Sequence, residues 1–86
     1  MNKLTMILCE KSSDIEKVHG MYRSPGCKVK RQGNLVTEIE HEDGTRYLFR
    51  CRGQMPHAAL GLRLKDYVIL YPADEETKQT LHMRTF

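Results

Sequence analysis

The chain has 86 residues, of which 40% are hydrophobic and 29% are charged, and its mean hydropathy is −0.58. These values predict one small domain spanning residues 1–86 and leave no room for a second core. The longest apolar runs, residues 6–9 and 67–71, are far shorter than the roughly 20 residues that cross a bilayer. The N-terminus also lacks the apolar stretch of a secretory signal. We therefore expect a cytoplasmic protein with no membrane contact.

The formal net charge of +3 is spread unevenly along the chain. Residues 27–65 hold eight lysines and arginines against four acidic residues, whereas residues 66–86 hold two against four. A basic middle segment can attract phosphates or an acidic protein surface. The alternative is that these charges solvate a sheet face and pair with one another.

The cysteine and histidine pattern does not indicate a disulfide framework or a metal site. The residues are Cys9, Cys27, Cys51, His19, His41, His57 and His82. An odd number of widely spaced cysteines is typical of thiols in a reducing compartment. The histidines lack the spacing that zinc ligands need. We expect no metal and no cofactor.

The first elements predicted are a strand and a helix. Residues 4–9 form an apolar run of strand length, as expected for a parallel strand that is covered on both faces. Ser13 and Glu16 have the spacing of a capping box, which predicts a helix from Ser13. The helix ends at residues 24–26, Ser-Pro-Gly. One helical face carries Ile15, Val18, His19 and Tyr22, so His19 is interpreted as a packing residue.

Residues 27–52 predict a three-stranded antiparallel meander, because apolar and polar residues alternate in three runs. The register is chosen so that opposite residues face the same side. A three-residue turn at 42–44, with Gly44 in the left-handed region, then pairs Ile39 with Tyr47. The same reasoning predicts a three-residue turn at 31–33 with Gly33 left-handed, which sets Val29 opposite Leu35 and Cys27 opposite Thr37.

The other face of this meander is predicted to be mostly charged. Its basic residues are Lys28, Lys30, Arg46, Arg50 and Arg52, and its remaining residues are Val36, Glu38, Glu40 and Leu48. Cross-strand ion pairs are one interpretation, and they suit the two glutamates better than an acid/base pair does. Because bases outnumber acids, Lys30, Arg50 and Arg52 are predicted to be left over for a phosphate or an acidic partner. Val36 and Leu48 are expected to be exposed.

The C-terminal third predicts two helices and a strand. Pro56 begins a short helix through Leu60, and Leu62 and Leu64 return to the core. Residues 67–71 form a second buried strand that Pro72 ends. Residues 73–86 are either a short helix, favoured by the acidic residues at its start, or a loose tail.

Several catalytic motifs are missing. The sequence has no phosphate-binding loop, no dinucleotide-binding glycine pattern and no nucleophile elbow. We therefore predict that the protein is not an enzyme and does not hydrolyse nucleoside triphosphates.

The order of elements nevertheless resembles one known family. The segments at 7–10, 43–50 and 60–70, followed by Asp74 and Glu75, are similar to the middle of the ATPase core of phage terminase large subunits and related P-loop motors. The resemblance covers about residues 4–76. The Walker A segment is absent, and Asp74 and Glu75 come too late to sit at the strand tip as Walker B acids. The resemblance implies a fragment-like phage protein without ATPase activity.

These observations predict an α/β domain with two buried parallel strands, a three-stranded meander and helices covering one apolar side. The alternative fold is an open, barrel-like β domain with added helices. The predicted function is that of a phage or bacterial accessory protein, an inhibitor or adaptor that binds another protein. The competing function is binding of a nucleic-acid backbone through the basic face. A homo-oligomer is an open alternative, because a small core gains from a partner.

Overall fold

The computed structural model describes residues 3–55 and 61–85. Its strands are β1 (Leu4–Cys9), β2 (Lys28–Gln32), β3 (Leu35–Glu40), β4 (Arg46–Cys51) and β5 (Asp66–Ile69). Its α-helices are α1 (Ser12–Val18) and α2 (Glu75–Met83), and short 3-10 turns lie at His19–Tyr22 and Arg52–Gln54. The predicted α/β class is confirmed.

The strands form one mixed sheet in the order β2-β3-β4-β1-β5. β1 is parallel to both of its neighbours, β4 and β5, whereas β2, β3 and β4 pair antiparallel. A strand between two parallel neighbours has both edges paired and both faces covered, which explains the continuous apolar run of β1. The predicted parallel strand pair and meander are therefore both present.

Helices cover both faces of the sheet, so the prediction that they cover one side is wrong. Successive residues of β1 point to opposite faces and enter two different core clusters. One cluster contains Leu4, Met6, Leu8, Leu48, Leu64 and Leu81, the last from α2. The other contains Ile7, Cys9, Ile15, Val36, Ile39 and Phe49, with Ile15 from α1. The apolar side chains on each face of β1 must be covered by another element. Helix α2 contributes one buried side chain to the first cluster, and α1 contributes one to the second.

Helix α1 begins one residue earlier than the capping-box pattern predicts. Its first residue is Ser12, and the Asp14 carboxylate accepts a hydrogen bond from the Lys11 backbone N–H at 3.2 Å. The predicted cap by Ser13 and Glu16 is therefore wrong. The Asp14 carboxylate accepts from one of the backbone N–H groups at the N-terminus of the helix, that of Lys11. The helix therefore starts directly after Lys11.

The hairpin between β3 and β4 has the predicted register. Ile39 pairs with Tyr47, and Gly44 has a φ of 91°, in the left-handed region. Glycine adopts this region without a Cβ clash, so the turn can close with one residue bulged. This prediction is confirmed.

The hairpin between β2 and β3 differs from the prediction. Gly33 has the expected positive φ, 64°, but Gln32 pairs with Leu35 and Val29 pairs with Ile39. The three-residue turn at 31–33 is wrong because a two-residue turn closes the hairpin, and a register shift between Lys30 and Arg31 takes up the extra residue.

The register shift changes the side of the sheet that residues beyond it face. Val36 lies in the core cluster with Ile39 and is fully buried. Leu48 is also buried, at 7% exposure, because it packs in the cluster that Leu81 covers. The expectation that Val36 and Leu48 are exposed is therefore wrong for both residues.

The strand predicted at 67–71 is β5, Asp66–Ile69, and it is less buried than predicted, with Leu70 beyond its end 46% exposed. Residues Tyr67, Val68 and Ile69 of β5 are half-buried, since this short strand lies at the sheet edge. Asp74 caps α2 by accepting a hydrogen bond from the Thr77 backbone N–H at 2.8 Å, so this segment is a helix. The helix predicted at 56–60 lies outside the described residues. None of the helices described could cross a membrane by length and hydropathy.

Candidate functional site

Charged side chains from β2, β3 and β4 meet on the half of the sheet face that lies beyond Leu48. Glu38, in the middle strand, is only 6% exposed. Its carboxylate accepts two hydrogen bonds from the Arg46 guanidinium, from Nε at 3.2 Å and from Nη2 at 2.8 Å. The Lys30 Nζ lies 3.0 Å from Glu38 and 3.5 Å from Glu40. We call these four residues the ionic network.

The ionic network is internally balanced. Hydrogen bonds from Arg46, followed by those from Lys30, hold the pKa of Glu38 below its usual value although burial opposes this shift. The hydrogen bond to Glu38 likewise raises the pKa of Lys30. The network thus contains two basic and two acidic side chains, Lys30 and Arg46 against Glu38 and Glu40. Lys30 is not left over, which corrects the prediction that placed it among the unpaired bases.

Arg50 is held by backbone oxygens. It is half-buried, and its Nη1 donates to the carbonyls of Thr37 at 3.2 Å and Phe49 at 2.7 Å. Burial lowers the pKa of Arg50. The guanidinium is thus fixed between β3 and β4, and its role in the fold includes bridging these two strands.

Arg52 lies at the opposite end of β4 from Arg46. The five steps from Arg46 to Cys51 span about 17 Å, and Arg52 follows beyond them. Its guanidinium is 3.7 Å from the Glu10 carboxylate and 5.7 Å from the centre of the Tyr71 ring. Arg52 is consequently distant from Lys30 and Arg46, whereas Arg50 lies close enough to Glu38 for that charge to affect its pKa.

A second cluster, which the sequence pattern did not reveal, surrounds Arg52. The carboxyl ends of β1, β4 and β5 bring Glu10, Arg52 and Tyr71 to one edge, which is where open α/β sheets bind ligands. A cavity of about 150 Å³ lies there, lined by Arg52, Met55, Asp74, Glu76, Thr77 and Thr80. Its carboxylates repel phosphate. The signal that could have found this cluster is the position of Glu10 directly after one apolar run and of Tyr71 at the end of the other.

β2 has more exposed residues than any other described strand. Four of its five residues are exposed: Lys28, Lys30, Arg31 and Gln32. The fifth, Val29, is half-buried and packs at the margin of the core cluster that contains Ile39. Among the residues described, no strand pairs with the outer side of β2.

The thiols are free, and the most buried one is poorly acidic. Cys9 is completely buried, and burial raises its pKa to about 11. Cys9 and Cys51 are register partners on neighbouring strands, and both belong to the cluster beneath α1. Within the described ranges, no group of three or more residues has the composition and proximity of a metal site.

Comparisons with protein-family models, with curated proteins and with solved structures found no match for this chain. The resemblance to terminase ATPases stays a prediction. Asp74, which that resemblance aligns with the Walker B acids, lies beyond the end of β5 at Ile69 and caps α2.

Proposed function

We propose that this protein is a non-enzymatic accessory protein, an inhibitor or adaptor, that acts by binding another protein through the β2 side of its sheet. The ionic network is the main observation behind this proposal. Its charges alternate in sign over three neighbouring strands, and a protein surface can match such a pattern with charges of both signs.

Binding of a nucleic-acid backbone is the second candidate, favoured by the net charge of +3 and by the exposed bases of β2. The glutamates argue against it. Glu38 and Glu40 lie within 3.5 Å of Lys30 Nζ, so a phosphate approaching that lysine also meets two carboxylates. The ring residues Tyr47 and Phe49 of β4 belong to the opposite face, so the strand that carries Arg46 offers the ionic network no ring for base stacking.

The absence of a phosphate-binding loop from the sequence supports a non-enzymatic role. We place the protein in the cytoplasm, and in the host cytoplasm if the terminase resemblance reflects a phage origin. Turnover of nucleoside triphosphates at the level of buffer is expected. Turnover above buffer that disappears in Asp74→Ala would contradict this part of the proposal.

The two binding functions can be separated with charge reversals outside the ionic network. Lys28 and Arg31 are exposed on β2, and the double change to Glu leaves Glu38 with both of its cations. A matched control reverses Lys17 and Lys65, which are exposed elsewhere. Both variants carry the same net charge, so a difference between them reports the location of the contact.

The experiment is affinity capture from a bacterial lysate, with and without nuclease, together with binding to random duplex DNA at physiological salt. We expect a protein partner that survives nuclease, is lost in the β2 variant and is kept in the control. Material released by nuclease, or DNA binding near micromolar that the β2 variant abolishes, would instead establish the nucleic-acid function.

A further inference from the structure

The outer edge of β2 has backbone groups available for pairing. The His41 N–H donates to the Thr45 carbonyl at 2.8 Å, which is one of the two bonds of a hydrogen-bonded pair, and the Thr45 N–H donates to Asp43 Oδ1 instead. Because such pairs alternate along an antiparallel ladder, the backbone groups of Ile39 point toward β4. Those of Glu38 and Glu40 then point toward β2.

The same alternation determines which way the backbone N–H and C=O groups of β2 point. Lys28 and Lys30 are opposite Glu40 and Glu38, so their N–H and C=O groups point inward to β3. Val29 lies between them, and its N–H and C=O point outward, away from β3. This outward pair is where an added strand would form its hydrogen bonds.

β3 shows which side chains suit β2. Its sequence Glu38-Ile39-Glu40 places carboxylates opposite Lys30 and Lys28 and an apolar side chain opposite Val29. The Lys28 and Lys30 side chains are exposed at the sheet edge, and that of Val29 is half-buried. A second strand on the outer side of β2 would therefore meet the same alternation of base, apolar residue and base.

We propose that β2 accepts an extended segment of a partner protein in which carboxylate side chains alternate with apolar ones. One carboxylate would lie beside Lys28, which is outside the ionic network, and an apolar side chain beside Val29 would extend the core cluster below α1. A carboxylate beside Lys30 would share that ammonium with Glu38 and Glu40, so Lys28 supplies the main charge contact. This inference rests on the proposed protein-binding function and specifies the chemistry of the partner.

Charge selects this occupant over a second copy of the chain. Two β2 strands paired edge to edge would bring lysines beside lysines, which is unfavourable. Edge lysines and the register shift after Lys30 also discourage unselective strand pairing. An acidic segment replaces this repulsion with attraction, whereas a neutral segment removes the repulsion without adding attraction.

The test uses a fluorescein-labelled peptide, Ser-Glu-Val-Glu-Val-Glu-Ser, and fluorescence anisotropy with the full chain. Two controls have the same length: a peptide with Lys in place of Glu, and one with the same composition but with its glutamates and valines in separate blocks. We expect saturable binding of the alternating acidic peptide, at least about tenfold tighter than either control. Equal binding of the blocked peptide would overturn the proposal, because it would show attraction by charge alone.

Two variants locate the peptide on the sheet. Lys28→Glu should weaken binding by about tenfold, whereas Lys65→Glu, the same change outside β2, should leave it within about twofold. Val29→Pro removes an outward N–H that β3 does not use and should abolish binding, whereas Val29→Thr keeps that N–H. Unchanged affinity in a folded Val29→Pro protein would overturn the proposal.

Methylated peptides keep the test valid if Val29→Pro does not fold. N-methylation of every second peptide residue blocks hydrogen bonding on one edge only, so one methylation pattern should abolish binding and the other should not. Equal effects of the two patterns would overturn strand addition.

If the protein partner is lost with Lys28→Glu and Arg31→Glu but kept with Val29→Pro, strand addition fails while the proposed function stands. If the partner is a nucleic acid, both strand addition and the proposed protein-binding function are wrong.

Discussion

The two halves of the sheet are stabilised differently. In the inner half, Met6, Ile7, Leu8 and Cys9 of β1 are completely buried between layers that include α1 on one face and α2 on the other. In the outer half, β2 and β3 are packed on one face and carry the ionic network on the other. The inner half therefore supplies most of the hydrophobic stability, and the outer half can present charge and an open edge at little cost to the core.

The largest effect expected from this difference is that of truncating the inner strand. Leu8→Ala removes a fully buried side chain and should lower the free energy of unfolding by about 2–5 kcal/mol. The matched change in the outer half, Val29→Ala, should cost less than about 1 kcal/mol because Val29 is already half-exposed. Urea unfolding measures both. Similar losses of unfolding free energy in the two variants would mean that the two halves contribute equally to stability, which contradicts this account.

The ionic network should contribute a smaller, pH-dependent amount. Glu38→Gln keeps the shape of the side chain but leaves Arg46 and Lys30 without its charge, and we expect a loss of about 1–2 kcal/mol at pH 7. Both cations are about half-exposed, and solvent screening keeps the loss in this range.

The pH dependence of this contribution follows from the lowered pKa of Glu38. In the unfolded chain the carboxyl has its ordinary pKa of 4.5, and in the folded protein the pKa is lower. The stabilisation is therefore complete above the unfolded pKa and is lost as the pH falls through the folded pKa. The difference in unfolding free energy between wild type and Glu38→Gln should shrink as the pH falls below about 4.5. A difference that grows on acidification would contradict this account.

The hairpin turn of the outer half should be sensitive to backbone conformation. Gly33→Ala places a Cβ in open space but in the left-handed region, so it should cost about 1 kcal/mol. Gly20 also has open space around its added Cβ, and its φ is not positive, so Gly20→Ala should be neutral or slightly stabilising. Thermal unfolding distinguishes the two. An equal effect at both glycines would disprove the turn geometry.

The alkylation rates of the three thiols measure their burial in the unmutated protein, so no substitution that alters stability is needed. Cys9 should react with iodoacetamide far more slowly than Cys27 or Cys51 at pH 8, because it is completely buried and its pKa is about 11. Mass spectrometry of alkylated peptides measures the three rates, and urea should equalise them. Rapid labelling of native Cys9 would show that the inner half opens readily.

The sequence predicted the elements better than their pairing. The apolar run of residues 4–9 and the alternation in residues 35–40 each indicate one structure, because burial on two faces and on one face leave different patterns. The β2–β3 register failed because an extra residue can enter either the turn or a bulge, and the local pattern does not distinguish them. Without the bulge, side-chain alternation assigned Val36 to the charged face of the meander, and Val36 was therefore predicted to be exposed.

The candidate site was predicted in residue type but not in arrangement. Alternation placed Lys30, Glu38 and Arg46 on one face, and the structure confirms that they meet. The pattern gave no measure of how far a long side chain reaches, so Lys30 was counted as unpaired. The cluster of Glu10 and Arg52 was missed because the ends of parallel strands join residues that are distant in sequence.

The claim that the outer edge of β2 is open for an acidic strand is tested most directly by amide hydrogen exchange at Val29, measured by NMR with and without the alternating acidic peptide. In the protein alone, the Val29 N–H should exchange much faster than those of Lys28 and Lys30, which point to β3. Added peptide should slow Val29 exchange strongly and leave Arg52 and Tyr71 unchanged. A Val29 amide that is protected without peptide, or that stays unprotected at saturation, would contradict the account.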